Sequence, residues 1–367
     1  MNMNHTHTLQ QVRILCDPGL EDICQREAIS LLPPDSCTQS DIKPIDDSNR
    51  TGRFFLKIDT DSLPALQNMR TAYHFIHHLD TLRAKPKHMM EAAQQWAQQA
   101  EIPGFYHNKS LSSFRVTVVR RGNHPFISTD LERLVGGVLV EKSGLAVNLT
   151  QADFNLRIDL NDSRADIGIQ LNKGPMDKRW KWLFRPRVSL RTTIAAAMLQ
   201  QAQHFLLPPV KATDVQSVLD PFCGSATIGL EASVHFPKAS IFCSDNDPEA
   251  VAGAEKNIGQ AKMQERIQLS CQDARLLESA TGVDICCANT PFGVRMGKKL
   301  NFGAFYDDIL GKVGEIVRPG GVFVLLIGKK RGLFNYVLKN HPEWQQCDAR
   351  VIEIGGSFPG FFLLRRR

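Results

Sequence analysis

The sequence lacks the features that define several large protein classes. No apolar run approaches the length of a membrane span, and the stretch 1–7 is polar, without the apolar segment of a secretory signal. The nine cysteines include no C-x-x-C pair, and their odd number offers no disulfide framework. This usage predicts reduced thiols in a cytoplasmic protein with no membrane segment.

Charge and histidine content are also unremarkable. The eleven histidines show no spacing typical of a metal site, so the sequence predicts no metal. A net charge of +6 is a small excess for 367 residues, compatible with a polyanionic partner but insufficient to establish one. Hydrophobic residues form 43% of the chain, which excludes a disordered or fibrous protein. This length predicts two or three domains, and we expect a monomer.

One short loop organises the carboxyl-terminal half of the sequence. The apolar run 215–219 predicts a strand, the run 228–234 predicts a helix, and D-P-F-C-G-S-A-T joins them at 220–227. A strand, a small-residue turn and a helix N-terminus form a ligand-binding crevice at the carboxyl edge of a parallel sheet. For this loop alone, the alternative is an ordinary turn of an α/β domain.

Three further predicted strands bring polar residues to the same edge. The apolar runs and the residues after them are 239–243 before Asp245, 267–270 before Asp273, and 283–288 before N-T-P-F at 289–292. An acidic residue that closes the second strand is the usual partner of ribose hydroxyls in this architecture. The four strand ends together predict a nucleoside-binding site.

These motifs resemble those of S-adenosylmethionine-dependent methyltransferases that modify exocyclic amino groups. That family has D-P-x-C-G-S-G-T after its first strand and N-P-P-Y/F after its fourth. The resemblance assigns Asp220 and Gly224 to the methionine end of the cofactor, Asp245 to the ribose and Asp273 to the adenine. Asp247 is the alternative ribose ligand, or else the N-cap of the next helix. The other cofactor contacts that the resemblance implies are Phe222, Cys223, Ser225, Ala226, Thr227, Asn246, Ala274 and Asn289.

The fourth-strand loop predicts how a target amine is held. An exocyclic amine of guanine is a poor nucleophile because its lone pair is delocalised into the ring. The side-chain oxygen of Asn289 and the carbonyl of Thr290 could accept its two N–H bonds and direct the lone pair at the methyl group. Pro291 keeps Thr290 out of helical dihedrals. Phe292 could stack on a base swung out of its stack, or else be a core residue.

Two positions depart from the family pattern. Ala226 replaces the second glycine of G-S-G, and Thr290 replaces the first proline of N-P-P. An alanine held at positive φ costs roughly 1 kcal/mol, and its methyl group could crowd the cofactor. We expect the threonine to have a milder effect because it retains the backbone carbonyl. These departures leave open an RNA-binding pseudoenzyme that has lost its cofactor.

The amino-terminal half predicts two α/β units. Residues 1–84 alternate between strands (11–16, 52–58 and 73–82) and helices (18–31 and 61–70), which indicates a ferredoxin-like unit. Residues 85–175 predict a helix at 89–100, a strand at 114–119 and paired strands at 154–160 and 165–171. A further helix begins near Ser128 and ends at Gly144, with Thr129 and Glu132 as its capping box.

This second unit resembles the THUMP domain, an RNA-binding module of tRNA-modifying enzymes. The resemblance is carried by 114–116, R-R-G-N-H at 120–124, the segment 128–140 and the final strand pair. It implies RNA contacts by Arg120, Arg121 and His124. The stretch 176–191 is a linker rich in cations and aromatic rings, which can neutralise phosphates and stack on bases. Its candidate RNA-binding residues are Lys178, Arg179, Trp180, Lys181 and Arg185; the alternative is packing between domains.

Residues 192–367 are predicted to form a class I, Rossmann-like methyltransferase domain that ends in an antiparallel hairpin. The order of the modules resembles that of THUMP-containing RNA (guanine-N2) methyltransferases over nearly the whole chain. The resemblance implies methyl transfer from S-adenosylmethionine to the exocyclic N2 of a guanosine in tRNA, in the acceptor stem. The same chemistry on 23S rRNA and the pseudoenzyme remain as alternatives.

Overall fold

Two sheets organise the chain, one in each half. The computed structural model describes residues 9–39, 52–106, 110–186, 189–278, 281–292, 300–328 and 330–367. Across these ranges, no helix has the length and apolar character needed to cross a membrane. The stretch 32–49, whose Pro, Asp and Ser content predicts a surface loop, lies partly outside the described residues.

The amino-terminal half forms an eight-stranded sheet flanked by three helices. Its elements are β1 (Leu9–Cys16), α1 (Glu21–Leu31), β2 (Cys37–Gln39), β3 (Gly52–Asp59), β4 (Ala72–Arg83), α2 (Met89–Gln99), β5 (Ser113–Arg121), α3 (Ser128–Ser143), β6 (Ala146–Val147), β7 (Phe154–Asn161) and β8 (Arg164–Gln170). The strand order is β2-β3-β1-β4-β8-β7-β5-β6.

The first four strands have the antiparallel order of a ferredoxin-like fold. Alternate residues of β3, such as Phe54 and Leu56, are buried in one apolar core with Ala28 of α1. The helix predicted at 61–70 is instead a 3-10 helix at Thr60–Asn68. Pro64 lies inside it, and proline cannot donate the hydrogen bond that an α-helix requires.

The strand β4 belongs to both predicted amino-terminal units. Its residues 72–77 pair with β1, and its residues 76–83 pair with β8. Gly168 of β8 allows this pairing, because a side chain there would collide with the carbonyl of His77. The strands of the two units therefore form one continuous sheet.

The predicted capping box of α3 was wrong. The helix begins at Ser128, so its N-cap is Ile127, whose N–H donates to Oδ2 of Asp130 over 3.0 Å. Glu132 lies one turn further along and accepts a 2.9 Å hydrogen bond from the N–H of Val118 in β5. This carboxylate therefore anchors α3 to the sheet and does not cap the helix.

The carboxyl-terminal half is a doubly wound domain. Its elements are α4 (Thr192–Phe205), β9 (Ser217–Asp220), α5 (Thr227–His235), β10 (Ser240–Asp245), α6 (Pro248–Gln260), β11 (Ile267–Cys271), β12 (Val283–Asn289), α7 (Phe302–Ile316), β13 (Val317–Ile327), α8 (Arg331–Leu338), β14 (Trp344–Val351) and β15 (Gly360–Arg366). The strand order is β11-β10-β9-β12-β13-β15-β14, with β15 antiparallel to both neighbours.

The central strands of this sheet are apolar because helices cover both of their faces. Val218, Ile285 and Val324 lie in the core with α4, α5 and α6. Their neighbours along the strands, such as Leu219 and Leu325, lie in the core with α7 and α8. Burying each such side chain contributes roughly 1.5–3 kcal/mol, so this domain fixes the carboxyl edge of the sheet firmly.

Candidate active site

The structure brings three predicted site residues to the same edge of the sheet. Asp220 ends β9, Asp245 ends β10 and Asn289 ends β12, and these strands are adjacent. Oδ2 of Asp245 accepts the N–H of Gly224 over 2.9 Å, and its Oδ1 accepts the N–H of Asp247 over 3.1 Å. The second acidic strand end therefore holds the first loop in place.

Asp220 is buried beneath this loop, with 1% of its surface exposed. Burial raises the pKa of its carboxyl group well above the ordinary value, and the charge of Asp245 adds to this effect. A 3.2 Å hydrogen bond from the N–H of Phe222 acts in the opposite direction. A carboxyl group in this setting is suited to a cationic partner, which would favour its ionised form.

The backbone of the loop has the conformation that the glycine pattern predicted. Ala226 has φ 63° and ψ 29°, a left-handed conformation that is strained for alanine, at the N-cap of α5. Its methyl group is fully buried in the apolar core with Ile194 of α4. This geometry therefore does not support the expectation that the Ala226 methyl group crowds the cofactor. Gly224 is open on its Cβ side, with no atom within 4 Å.

Cys223, Ser225 and Thr227 of the loop are buried, and Phe222 is half-buried. The N–H of Cys223 donates to the carbonyl of Ser244 over 2.9 Å, and burial raises the pKa of the Cys223 thiol. The hydroxyl oxygens of Ser225 and Thr227 lie 3.2 Å apart. The ring centroid of Phe222 lies 5.8 Å from that of Phe305, at the opposite core. These contacts fix the loop from both sides.

Asn257 is a site residue that the sequence analysis missed. Its Nδ2 donates to the carbonyl oxygens of Ser225 (3.0 Å) and Phe184 (2.7 Å). Its Oδ1 accepts the N–H groups of Leu183 (2.9 Å) and Phe184 (3.0 Å). The available signal was an asparagine beside Ile258 on the apolar stripe of α6, where a polar side chain needs partners.

The loop after β12 presents an unused acceptor. Oδ1 of Asn289 is buried and has no hydrogen-bond partner among the described residues. The Thr290 hydroxyl donates to the carbonyl of Leu326 over 2.6 Å, which ties the loop to β13. Phe292 is partly buried against the core, and a Cβ at Gly328 would lie 2.7 Å from its Cα. Glycine at position 328 therefore lets the loop pass close to β13.

The outer strands contribute further polar groups. Asp273 pairs with Arg275 through contacts of 2.6 and 3.0 Å, and these hydrogen bonds lower the pKa of its carboxyl group. Ser244 and Gln272 each have a buried side-chain oxygen without a partner among the described residues. Both line a cavity of about 410 Å³ beside β10 and β11.

The remaining predicted contacts differ in exposure. Asn246 is exposed and Ala274 is buried. The side chain of Asp247 accepts a hydrogen bond from the N–H of Glu249 over 3.0 Å and caps α6. This is the alternative role that was predicted for Asp247.

Arg179 and Trp180 of the linker are half-buried and bind a carboxylate of the carboxyl-terminal domain. Arg179 Nε donates to Oε1 of Glu231 over 2.9 Å, and Trp180 Nε1 donates to the same atom over 2.6 Å. Arg70 Nη2 lies 2.8 Å from Oε2 of this fully buried carboxylate. For these two residues the structure favours the alternative of packing between domains, since Glu231 belongs to α5 and Arg70 to the amino-terminal unit. Lys178, Lys181 and Arg185 are exposed.

Two more clusters of polar contacts join the ferredoxin-like unit to the carboxyl-terminal domain. Asp17 accepts hydrogen bonds from Arg191 (2.9 Å) and from the Thr193 hydroxyl (2.6 Å). Arg350 bridges Asp348, at 2.8 Å, to Asp22 of α1. Together with the contacts of Arg70, Arg179 and Trp180 with Glu231, these contacts fix the two parts of the chain relative to one another.

The candidate RNA contacts of the THUMP-like unit, Arg120, Arg121 and His124, differ in exposure. Arg121 is exposed, and Arg120 is half-buried and donates a weak 3.4 Å hydrogen bond to the carbonyl of Gly122. His124 is buried, and its Nε2 lies 2.8 Å from the carbonyl oxygen of Asp162.

All nine cysteines are unpaired. The part of the chain that the structure describes holds no group of three or more side chains suited to a metal ion.

The order of the carboxyl-terminal sheet, its antiparallel last strand and the loops at its edge define a class I methyltransferase domain. Residues 179–359 match the RMKL-like methyltransferase domain family, and residues 88–170 match the THUMP domain. The chain is 30% identical over 354 residues to a tRNA (guanine(6)-N2)-methyltransferase of Thermus thermophilus, which covers 95% of this chain and 97% of the relative.

The fold is similar to solved structures over nearly its full length. TrmN from Thermus thermophilus has a TM-score of 0.75 and 28% identity, and covers 98% of this chain and 100% of that one. SMU.472, whose structure contains S-adenosylhomocysteine, has a TM-score of 0.72 at 15% identity over 98% of each chain, which shows the fold alone. The chain belongs to the family of THUMP-containing, S-adenosylmethionine-dependent RNA (guanine-N2) methyltransferases. The predicted family, fold class and enzyme class are confirmed.

Proposed function

We propose that this enzyme methylates the exocyclic N2 of guanosine 6 in the acceptor stem of tRNA. The position is the one named for the Thermus thermophilus relative. The observation that carries the proposal is the buried, unpartnered Oδ1 of Asn289 beside the carbonyl of Thr290, at the edge where a cofactor loop ends. Two acceptors side by side suit an amine with two N–H bonds and do not suit a ring nitrogen or a hydroxyl.

The residues at this edge fit S-adenosylmethionine. Gly224 leaves open space at the N-terminus of α5, where the backbone of the loop can approach a ligand closely. Asp220 would hold the methionine end, Asp245 the ribose and Asp273 the adenine. To bind the adenine, Asp273 would give up its contacts with Arg275. When bound, the cofactor supplies an electrophilic methyl group on a positively charged sulfur.

The chain's own residues orient the nucleophile. Asn289 and Thr290 would accept the two N–H bonds of the amine, so that its lone pair points away from them. The hydrogen bond from the Thr290 hydroxyl to the Leu326 carbonyl fixes the backbone of Thr290 before the substrate arrives. Acceptors that are positioned in advance stabilise the charge that develops during the reaction. The amine becomes acidic as it is methylated, so a strong base is not needed before attack. Phe292 would stack on the extruded base.

The RNA partner is supported by the THUMP unit and by the exposed linker cations Lys178, Lys181 and Arg185. Cations on a linker next to the cofactor loop can neutralise phosphates near the target nucleotide. We place the enzyme in the cytoplasm because its substrate is there. The presence of Asp220 and Asn289 argues against the pseudoenzyme, since burial disfavours the ionised form of Asp220 and Oδ1 of Asn289 has no partner among the described residues.

The test compares wild type with Asn289→Ala and, as a matched control, with Asn340→Ala in the exposed turn after α8. Methyl transfer is measured to a tRNA transcript with guanosine at position 6 and to one with adenosine there. We expect Asn289→Ala to lower turnover by roughly a hundredfold or more, with cofactor binding by calorimetry unchanged. Turnover within about threefold of wild type would remove Asn289 from the site. Equal methylation of both transcripts would show that the position is wrong.

A further inference from the structure

A second cavity, of about 480 Å³, lies on the THUMP unit, away from the cofactor edge. It is bordered on one side by the segment that leads into α2 and on the other by the loop after β5. Its lining residues are Lys85, Pro86, Lys87, Asn123, His124 and Pro125. The catalytic chemistry proposed above does not use any of these residues.

His124 is the buried wall of this cavity, with 8% of its surface exposed. Its Nε2 lies 2.8 Å from the carbonyl oxygen of Asp162, which can only accept, so Nε2 carries the proton. In the neutral ring, Nδ1 is then an acceptor. This atom is buried and has no partner among the described residues. The tilted ring of Phe126, 5.3 Å away between centroids, helps to fix the orientation of the imidazole.

The rim of the cavity is positively charged. Lys85 and Lys87 are exposed, and no carboxylate is among the lining residues. The helix α2 begins directly after them, and its N-cap residue, His88, makes no capping hydrogen bond through its side chain. The first turn of α2 therefore adds the partial positive charge of a helix N-terminus. Glu91, in that turn, lies 3.9 Å from the ring of His88.

An unused buried acceptor next to two ammonium groups defines the chemistry of the ligand. The ligand must present an O–H or N–H donor close to a negative charge. Lysines bind phosphate without regard to the sugar, whereas a ribose 2′-hydroxyl is a donor that DNA lacks. A ribose with its phosphate supplies both groups on one unit.

We propose that this cavity binds one ribose–phosphate unit of the RNA substrate. The phosphate contacts Lys85 and Lys87, and the 2′-hydroxyl donates to Nδ1 of His124. This inference rests on the proposed function, because it assumes that the substrate is RNA. The cavity then gives the THUMP unit a means to distinguish RNA from DNA at a single nucleotide, which a charged surface alone does not provide.

The test measures binding of the full chain to a short oligouridylate and to an oligodeoxyuridylate of equal length. Wild type should bind the RNA about two- to tenfold more tightly, which is the net contribution of one hydrogen bond. His124→Ala should abolish this preference. The double variant Lys85→Ala/Lys87→Ala should keep the preference and lower the slope of log affinity against log salt by about 0.7, the value for one phosphate contact on a single strand.

The double variant Lys238→Ala/Lys262→Ala, at the edge of the carboxyl-terminal sheet opposite the cofactor loop, is the matched control. It should change neither the preference for RNA nor the salt slope. Equal binding of both oligomers by wild type, or a preference that survives in His124→Ala, would overturn the proposal. An unchanged salt slope in the Lys85/Lys87 variant would overturn it as well, and thermal melting of each variant shows whether it is folded. Methyl transfer to tRNA by wild type is recorded on the same preparation, so a failure of the proposed function is detected separately.

Discussion

The side-chain amide of Asn257 donates a hydrogen bond to the carbonyl of Ser225 over 3.0 Å. The same side chain holds the backbone at 183–184, between the exposed cations Lys181 and Arg185. One buried residue of α6 therefore connects the cofactor loop to the linker proposed to contact RNA. A change in either segment reaches the other through a single hydrogen-bonded side chain.

The substitution Asn257→Ala should weaken cofactor binding and RNA binding together. It leaves the carbonyl of Ser225 and two linker N–H groups without partners, and each buried group left unpaired costs about 1–3 kcal/mol. Calorimetry with the cofactor and titration with tRNA measure the two affinities, and urea unfolding measures stability. Gln203→Ala, which removes an amide bonded to His235 over 3.0 Å in the same domain, is the control. Unchanged cofactor affinity in folded Asn257→Ala would disprove the connection.

The substitution Ala226→Gly should leave stability nearly unchanged. Glycine relieves a left-handed backbone conformation that costs alanine about 1–2 kcal/mol. The change also removes a fully buried methyl group, a loss of about 1 kcal/mol. Because that methyl group points into the core, we expect cofactor affinity to change by less than about twofold, a fraction of a kilocalorie. A large gain in affinity by calorimetry would show that the methyl group does crowd the ligand.

The substitution Asp220→Asn should stabilise the free protein at neutral and alkaline pH while weakening cofactor binding. The pKa of this carboxyl group is raised on folding, so the folded state disfavours its ionised form. The resulting destabilisation is absent below the unfolded pKa of about 3.9 and grows as the pH rises towards the folded value. Asparagine removes this penalty, about 1.4 kcal/mol for each unit of the shift, and its oxygen can still accept from Phe222.

Melting temperatures of wild type and Asp220→Asn at several pH values test this expectation. The difference between them should shrink as the pH falls towards 3.9, the reference pKa of aspartate. The exposed carboxylate of Asp214 provides the control substitution, Asp214→Asn. A variant that is less stable than wild type at pH 8 would contradict the expected sign.

The double variant Lys178→Ala/Lys181→Ala should flatten the salt dependence of tRNA binding. Each lost contact with a duplex phosphate lowers the slope of log affinity against log salt by about 0.9. Cofactor affinity should not change, since both lysines are exposed to solvent. Filter binding at several salt concentrations measures the slope, with Lys238→Ala/Lys262→Ala as control. Equal slopes for both double variants would place the linker cations away from the RNA.

The substitution Glu231→Ala should destabilise the chain by about 3 kcal/mol, the lower end of the cost of removing one partner from a buried ion pair. It leaves Arg70 and Arg179 without their shared carboxylate and Trp180 without its acceptor. Urea unfolding measures the loss, and Glu315→Ala, which removes an exposed carboxylate paired with Lys312 at 3.1 Å, is the control. A loss below about 1 kcal/mol would show that the cluster contributes no more than a surface pair.

The sequence was sufficient for features that depend on neighbouring residues. The ends of β9, β10 and β12 follow from apolar runs that stop at polar residues, and the left-handed conformation at Ala226 follows from its place in a glycine-rich loop. Such features are local, since a few consecutive residues determine them. The position of Asn289 at the edge of the sheet could be predicted for this reason.

Features that depend on distant partners could not be predicted. Trp180 and Glu231 are 51 positions apart, and the linker's composition alone fits RNA contact and domain packing equally well. The 3-10 helix at Thr60–Asn68 and the N-cap of α3 were missed for a different reason, because a single proline or a two-residue shift of the N-cap decides them. The helix α8 was also not predicted.

The strand shared by the two amino-terminal units leaves no hinge between them. β4 pairs with β1 on one side and with β8 on the other, and α1 is joined to the catalytic domain through Arg350. On the proposed function, an RNA held on the THUMP unit would meet the catalytic loop at a set distance along its own length. One base pair added between the held end and the target would then carry that guanosine past the loop and rotate it away, even if every contacted base stayed the same.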